Sequence, residues 1–376
     1  MALGRRIAAV LAHPRFGWLA ALLGVLLALP ALGAGLQLDD HLHRFYVGLY
    51  ERGEPLGAWW DLYVAAEGDE ALTRARMDMG FSPWWTVPDL RLRFFRPLSA
   101  ATHYLDYAAW PSAPWLMHAQ NLAWYGGLVL AVSALLRRLL GPTWVAGLGT
   151  LLFAIDDAHG TPIGWIAQRN ALICGVLTVL VLVIHDRTRR DGWSRGEWIG
   201  PLVFLAALLS GEAAVAALGY LGAHALLLEP ALRKDRGGRA LSRAAKALLA
   251  LWPYLLVLIA WRLVYDWLGY GAHGSGVYVD PSREPAAFLA VLPDRAAALG
   301  LAQLGWPDAD AWTLVPTPWS PARRRALALG AAVVLAVLPR LRRDRGLAVC
   351  LVGAVLALVP ASAAVASNRM LLMVGV

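Results

Sequence analysis

Two adjacent acids, Asp39 and Asp40, close the first long apolar run of the chain, Phe16 to Leu38. A carboxylate at the outer boundary of a membrane can take a proton from an attacking hydroxyl, and partial desolvation raises its basicity. The other reading is a solvated helix end. Neighbouring positions on a helix point about 100° apart, so the two acids do not share one direction. Four arginines border apolar runs: Arg96 in Phe95-Arg96-Pro97-Leu98, Arg169, Arg262 and Arg369. Guanidinium forks match phosphate oxygens, so arginines converging on one face would hold a lipid-linked phosphate. Otherwise they pair with Glu212, Asp156, Asp157 or Asp266, or snorkel to headgroups. Glu212 sits in Ser210-Gly211-Glu212, which interrupts an apolar stretch, and is either a ligand contact or the turn a hairpin needs. His118 and Asn121 share one helix face as a substrate contact or a buried interhelical hydrogen bond. His159 and Trp165 flank a turn next to Asp156 and Asp157, where an indole either stacks on a sugar or packs at the interface.

The elements that must carry these residues are membrane helices. The 376 residues are 59% hydrophobic and 16% charged with a mean hydropathy of +0.52, which excludes a disordered chain and argues against an ordinary soluble one. The run from Phe16 to Leu38 is long enough for a ~30 Å hydrocarbon layer. Although Arg5, Arg6 and Arg15 precede it as in a signal peptide, it reads as a retained first helix. Further crossings are expected at 114–136, 143–155, 165–184, twice within 198–228 with Glu212 at the tip, at 247–268, and on both sides of the basic turn 340–345. Stretches 1–15, 137–138, 185–197, 229–246 and 339–345 hold 19 of the 34 Lys and Arg with 6 acids. That asymmetry is the positive-inside pattern. The net charge of +8 and pI near 9.8 therefore report topology, and no nucleic acid is expected as a partner.

The expected architecture is an all-α polytopic membrane protein forming one transmembrane domain over 1–376. A first external loop over 37–113 carries amphipathic segments, His41 to Arg52 and Arg91 to Trp110, with Trp59-Trp60 and Trp84-Trp85 at headgroup level. A second external loop over 269–322 carries an interfacial helix from Glu284 to Trp306. The final apolar run, Met370 to Val376, reads as a helix cut short, so the chain is expected to be truncated at its C-terminus. Cys174 and Cys350 lie in apolar runs without the spacing of a zinc site, and metal-independent chemistry is expected.

Phe95-Arg96-Pro97-Leu98, His118-x-x-Asn121, His159 with Trp165-Ile166 and Arg169, then Leu209-Ser210-Gly211-Glu212, resemble in order and spacing the membrane O-mannosyltransferases that carry tetratricopeptide repeats, within the GT-C superfamily. Asp39-Asp40 looks like the acidic motif of that superfamily's first external loop. The resemblance covers most of 35–230. Asp156-Asp157, Thr161, Ala171 and Gly211 stand where that family has a His-Pro pair, two acids and a lysine. The resemblance implies a GT-C-like bundle of about nine or ten helices in the cytoplasmic (inner) membrane of a bacterium, N-terminus inside and active site outward. It implies an inverting transfer of a hexose, as in mannosyl transfer, from a polyprenyl-phosphate donor to a protein, glycan or lipid hydroxyl. The base would be Asp39 or Asp40, only one of which faces the substrate, with Asp39 slightly favoured. Arg96, Arg169, Arg262 and Arg369 would hold the donor phosphate, and His118, Asn121, Asp156, Asp157, His159, Trp165 and Glu212 would contact substrate. The lipid-linked sugar is a substrate, so no cofactor is called for. The competing class is a multi-pass transporter or lipid-handling protein without covalent chemistry, binding its substrate at the broken 198–228 hairpin.

Overall fold

The computed structural model describes residues 2–54, 58–229, 243–305, 308–312 and 321–376. Helix α1 (Ala2–Ala12) leads into α2 (Phe16–Ala28), which tightens into a 3-10 turn over Leu29–Gly33. A single helix to Leu38 is therefore corrected. Pro30 removes a backbone donor, and Gly35, at φ +70°, turns the chain away from the helix axis. A mixed segment follows: α3 (Asp39–Glu51), β1 (Val64–Glu67), α4 (Glu70–Asp78), β2 (Arg91–Arg93) and α5 (Pro97–Ala109).

The bundle is built from α6 (Pro114–Leu140), α7 (Trp144–Ala154), the short α8 (Gly160–Gly164), α9 (Arg169–Asp191), α10 (Gly196–Leu208), α11 (Ala217–Leu227) and α12 (Arg243–Trp267). Then come β3 (Gly271–His273), α13 (Pro285–Ala302), α14 (Ala309–Trp312), α15 (Pro321–Leu341), α16 (Arg345–Ala361) and a 3-10 turn over Asn368–Met373. Local chemistry explains the boundaries. Pro114 and Pro97 occupy first-turn positions that need no backbone donor, Thr143 and Asp344 cap α7 and α16, and Gly192 ends α9 in the left-handed region.

Five stretches, Phe16–Gly33, Pro114–Leu140, Ile166–Asp191, Ala247–Trp267 and Pro285–Ala302, are long and apolar enough to cross a bilayer. Four more apolar helices, Trp144–Ala154, Gly196–Leu208, Glu212–Leu227 and Arg345–Ala361, are shorter than the ~20 residues of a straightforward crossing. Length alone thus does not reach nine or ten. The helix expected from Glu284 to Trp306 is α13, itself long enough to cross, and Trp306 lies outside the described residues. So does most of the basic stretch 229–246.

Helix α9 is the centre, packed between α6 and α10, with Leu172, Cys174, Val179 and Val181 wholly enclosed. Helix α11 lies on α16, so closely at Gly353 that a Cβ there would stand 2.1 Å from the Tyr220 ring. On the outside, Trp18, Leu22 and Leu26 of α2 and Trp252, Leu256 and Leu263 of α12 are each more than half exposed. Apolar stripes of this kind are stable against lipid tails, not water.

One correction to the all-α expectation concerns the segment before the bundle. Arg91 to Trp110 is not one amphipathic helix. Arg91–Arg93 is the middle strand of an antiparallel sheet of order β1-β2-β3, pairing Leu92 with Ala272, and the helix starts only at Pro97. The sheet and α3 and α5 share a small core of Tyr46, Val47, Leu62, Val64, Ala100 and Tyr107 that rests on Met117 and Ile166. Trp84 and Trp85, meeting edge to face, are 82% and 69% exposed on this segment.

Candidate functional site

The two acids that begin α3 are held differently. Asp40 is fully buried: Oδ1 accepts the backbone N–H of Ala167 at 2.6 Å and Oδ2 that of Gln37 at 2.8 Å. Its own carbonyl accepts the Tyr107 hydroxyl at 2.8 Å. Asp40 therefore clamps the start of α3 to the turn before α9, a positioning task that occupies both carboxylate oxygens. Asp39, one residue round the helix, is exposed. Partial desolvation raises its pKa above the ordinary carboxylate value, opposed first by the positive charge of Arg369 and then by that of Arg96. Leu38, immediately before it, has φ +40°, and among the described residues no other non-glycine residue has a positive φ. Such a conformation costs on the order of 1–3 kcal/mol and persists where the surroundings fix it, here through the Asp40 clamp.

The arginines fall into four different situations. Arg96 is brought to the site by the docking of Phe95-Arg96-Pro97-Leu98 on Leu209-Ser210-Gly211-Glu212. Leu98 N–H donates to Leu209 O at 3.1 Å and the Ser99 hydroxyl to Ser210 O at 2.9 Å. The guanidinium donates to Glu212 at 2.8 Å through Nε and lies 2.7 Å from it through Nη2, above Phe94 and Tyr63 at 4.6 and 5.0 Å. With the Asn170 amide oriented to satisfy both of its neighbours, its oxygen accepts from Arg96 Nη1 at 3.1 Å. Glu212, at the tip of the α10–α11 break as expected, is thus the counter-ion of Arg96 and also accepts from Tyr265 at 3.4 Å.

Arg169 corrects the sequence-based expectation most sharply. Its side chain is wholly buried, with Nε on Asn121 Oδ1 at 2.7 Å, Nη2 on Met117 O at 2.9 Å, and Nη1 on Gln120 Oε1 at 3.2 Å and Asp106 Oδ2 at 2.5 Å. A phosphate has no access to this fork. Arg169 ties α9 to α5 and α6 beneath the site. Arg262 is likewise committed, to Asp266 at 2.9 Å through two nitrogens and to Asp280 at 2.8 Å.

Arg369 is the contrasting case. Its Nη2 donates to the Tyr278 hydroxyl at 3.2 Å, and among the described residues it has no carboxylate ion pair. Tyr278 packs on Phe94 at 5.1 Å, which links Arg369 to the ring over which Arg96 lies. Residues 277–279 bridge to 363–365, and Asn368 is anchored on Asp308 at 2.7 Å, so the late segment of the chain is held at the site.

The remaining expected residues are mostly scaffold. Asn121 donates to Ile163 O and Trp165 O, both at 3.2 Å, and His118 Nε2 meets Gly35 O at 2.8 Å. Trp165 is half-buried, its indole N–H on Gln37 O at 3.2 Å. His159 is buried against Phe153 and Tyr125, 3.4 Å from the Tyr125 hydroxyl. Asp156 caps Ala158 and accepts from Gln303 at 3.3 Å, while Asp157 is exposed. These residues fix the loop that presents Ala167 to Asp40.

Beside Asp40 lies a cluster that the sequence reading missed. His43, Tyr63 and His103 pack together, with the Tyr63 hydroxyl 3.0 Å from His103 Nε2 and the His43 and His103 rings 4.9 Å apart. Burial, then the charges of Arg96 and Arg169, push the His43 pKa down to about 3, so the imidazole is neutral at physiological pH. The one sequence signal for it was the three-residue spacing from Asp40 to His43, which puts both on the buried face of α3. Chemically, among the described residues, the site offers one accessible carboxylate of raised pKa, one cation without a carboxylate ion pair, one ion-paired cation and a wall of neutral rings. No protein-family model, curated protein or solved structure matches the chain.

Proposed function

We propose that this chain is an inverting membrane glycosyltransferase that moves a hexose from a polyprenyl phosphate to an acceptor hydroxyl. The observation that carries the reading is the division of labour between the paired acids: Asp40 is consumed in structure, while Asp39 stays accessible with a raised pKa beside Arg369 and Arg96. In the reaction, an Asp39 oxygen takes the proton of the acceptor hydroxyl as that oxygen attacks the anomeric carbon. The bond from that carbon to phosphate oxygen breaks on the opposite face, and polyprenyl phosphate leaves with the electron pair. Arg369 offsets the charge growing on the leaving phosphate, a differential interaction that lowers the barrier. Arg96 adds long-range charge while Glu212 holds it in place. Mannose-type donors and protein, glycan or lipid acceptors fit this reading alike. By charge bias the basic helix ends lie in the cytoplasm and Asp39 at the outer face of a bacterial inner membrane, with the shorter apolar helices also crossing.

The test is transfer of a hexose from a short-chain polyprenyl phosphate by the purified chain in detergent. Asp39→Asn is expected to reduce turnover at least 1000-fold while preserving folding and donor binding, because an amide cannot accept the proton. Asp40→Asn is expected instead to lower stability by about 1.5–3 kcal/mol, the value of a charge-assisted hydrogen bond. Near-normal turnover in Asp39→Asn overturns the assignment.

A further inference from the structure

At the end of α9 remote from Asp39, a second cluster of ionisable groups is enclosed in the bundle. The last two turns of α9 carry His185 and Asp186, α11 contributes His224, and Glu229 follows α11; all four are less than 9% exposed. One ligand atom from each of His185, His224 and Glu229 lies within 4.8 Å of the other two. His185 Nε2 is 3.6 Å from Glu229 Oε1, and the two imidazoles meet edge to face at 5.0 Å. His185 Nε2 and His224 Nδ1 are both buried without a hydrogen-bond partner. Buried ring nitrogens without a hydrogen bond cost about 1–3 kcal/mol each unless something satisfies them.

We propose that His185, His224 and Glu229 bind a structural zinc ion that pins the ends of α9 and α11. Zinc takes neutral imidazole nitrogens and carboxylate oxygens at about 2.0–2.2 Å in a tetrahedron, so its ligands stand about 3.4 Å apart. Rotamer adjustments of roughly an ångström bring the present spacing to that value. The outer shell suits the ion. Asp186 Oδ1 accepts from His224 Nε2 at 3.1 Å, which leaves Nδ1 for the metal in the carboxylate–histidine–zinc pattern. Glu229 accepts from Arg189 at 2.8 and 2.6 Å, and a carboxylate with about four lone-pair sites keeps one for zinc. Arg138 joins Asp186 at 2.6 Å and Asp191 at 2.9 Å and Arg190 meets Asp186 at 3.2 Å, so three carboxylates face three guanidiniums around the site. Three protein ligands leave the fourth position of the tetrahedron to a water. The ion is structural, standing at the opposite end of α9 from the proposed transfer chemistry.

The test is metal content. The purified full chain, stripped with chelator and dialysed against micromolar free zinc, is expected to retain about one zinc per chain by mass spectrometry and to gain thermal stability on zinc addition. His185→Gln, His224→Gln and Glu229→Gln are each expected to retain at least tenfold less zinc and to lose the thermal response. Should a variant fail to fold, cobalt(II) added to the stripped wild-type chain decides the matter, with tetrahedral ligand-field bands expected. Absence of those bands, zinc retention below about one-fifth per chain in the wild type, or undiminished retention in all three variants overturns the site.

Discussion

Arg169 and Arg369 would be interchangeable candidates for a phosphate contact by residue type, yet their surroundings predict opposite phenotypes. Replacing Arg169 by Ala leaves Asp106 buried without its cation, and strands Asn121 Oδ1 and Met117 O, which now accept at 2.7 and 2.9 Å. Removing one partner of a buried ion pair costs about 3–5 kcal/mol, which is roughly a 10²- to 10⁴-fold change in the folded ratio. Arg169→Lys restores charge near Asp106 but cannot reach three acceptors in three directions, so about half of the loss is expected to remain. Arg369→Ala gives up one hydrogen bond, from the guanidinium to the Tyr278 hydroxyl at a half-buried position, worth about 1.5 kcal/mol. Thermal unfolding in detergent, followed by intrinsic fluorescence, should therefore drop by several degrees for Arg169→Ala and hardly move for Arg369→Ala. Binding of a polyprenyl-phosphate hexose should show the reverse order, with Arg369→Ala weaker by roughly 10- to 100-fold, the value of a charge-assisted contact. An Arg169→Ala protein as stable as wild type but unable to bind donor would refute the reasoning, because it would mean that the enclosed fork opens to phosphate.

Two further outcomes follow from the site and the charge pattern. Because burial raises the Asp39 pKa and Arg369 opposes that rise, the acid limb of the kcat/KM profile should lie above the ordinary carboxylate range, activity being lost as pH falls through it. Arg369→Met should shift that limb further toward neutral; a limb that stays put in a variant still active enough to titrate argues against Asp39 as the base. Cysteine placed at Ser194, an exposed position after α9, should be labelled by an impermeant maleimide from the cytoplasmic side, and cysteine at the exposed Asp78 from the outer side. Labelling of both from one side would contradict the topology.

The membrane character of this chain was legible in its sequence, because transfer of a helix into hydrocarbon depends on summed side-chain polarity over a run of residues, a local quantity. The α10–α11 break at Glu212 was legible for the same reason: a charged residue in an apolar run has few places to go. Helix ends at Pro97, Pro114 and Gly192 likewise follow from backbone chemistry within a turn. What tertiary structure alone decided was the role of each charge. Asp39 and Asp40 are identical in type and adjacent in sequence, yet Ala167, far along the chain, selects Asp40 for burial and leaves Asp39 accessible. Arg169 and Arg369 are alike in type but not in surroundings, because the acids and carbonyls that enclose Arg169 come from α5 and α6 and carry no local signature at position 169. His185, His224 and Glu229 met through helix packing, at separations that no motif spacing encodes. Electrostatic role depends on distance in space and on desolvation, and both are set by packing between segments remote in sequence.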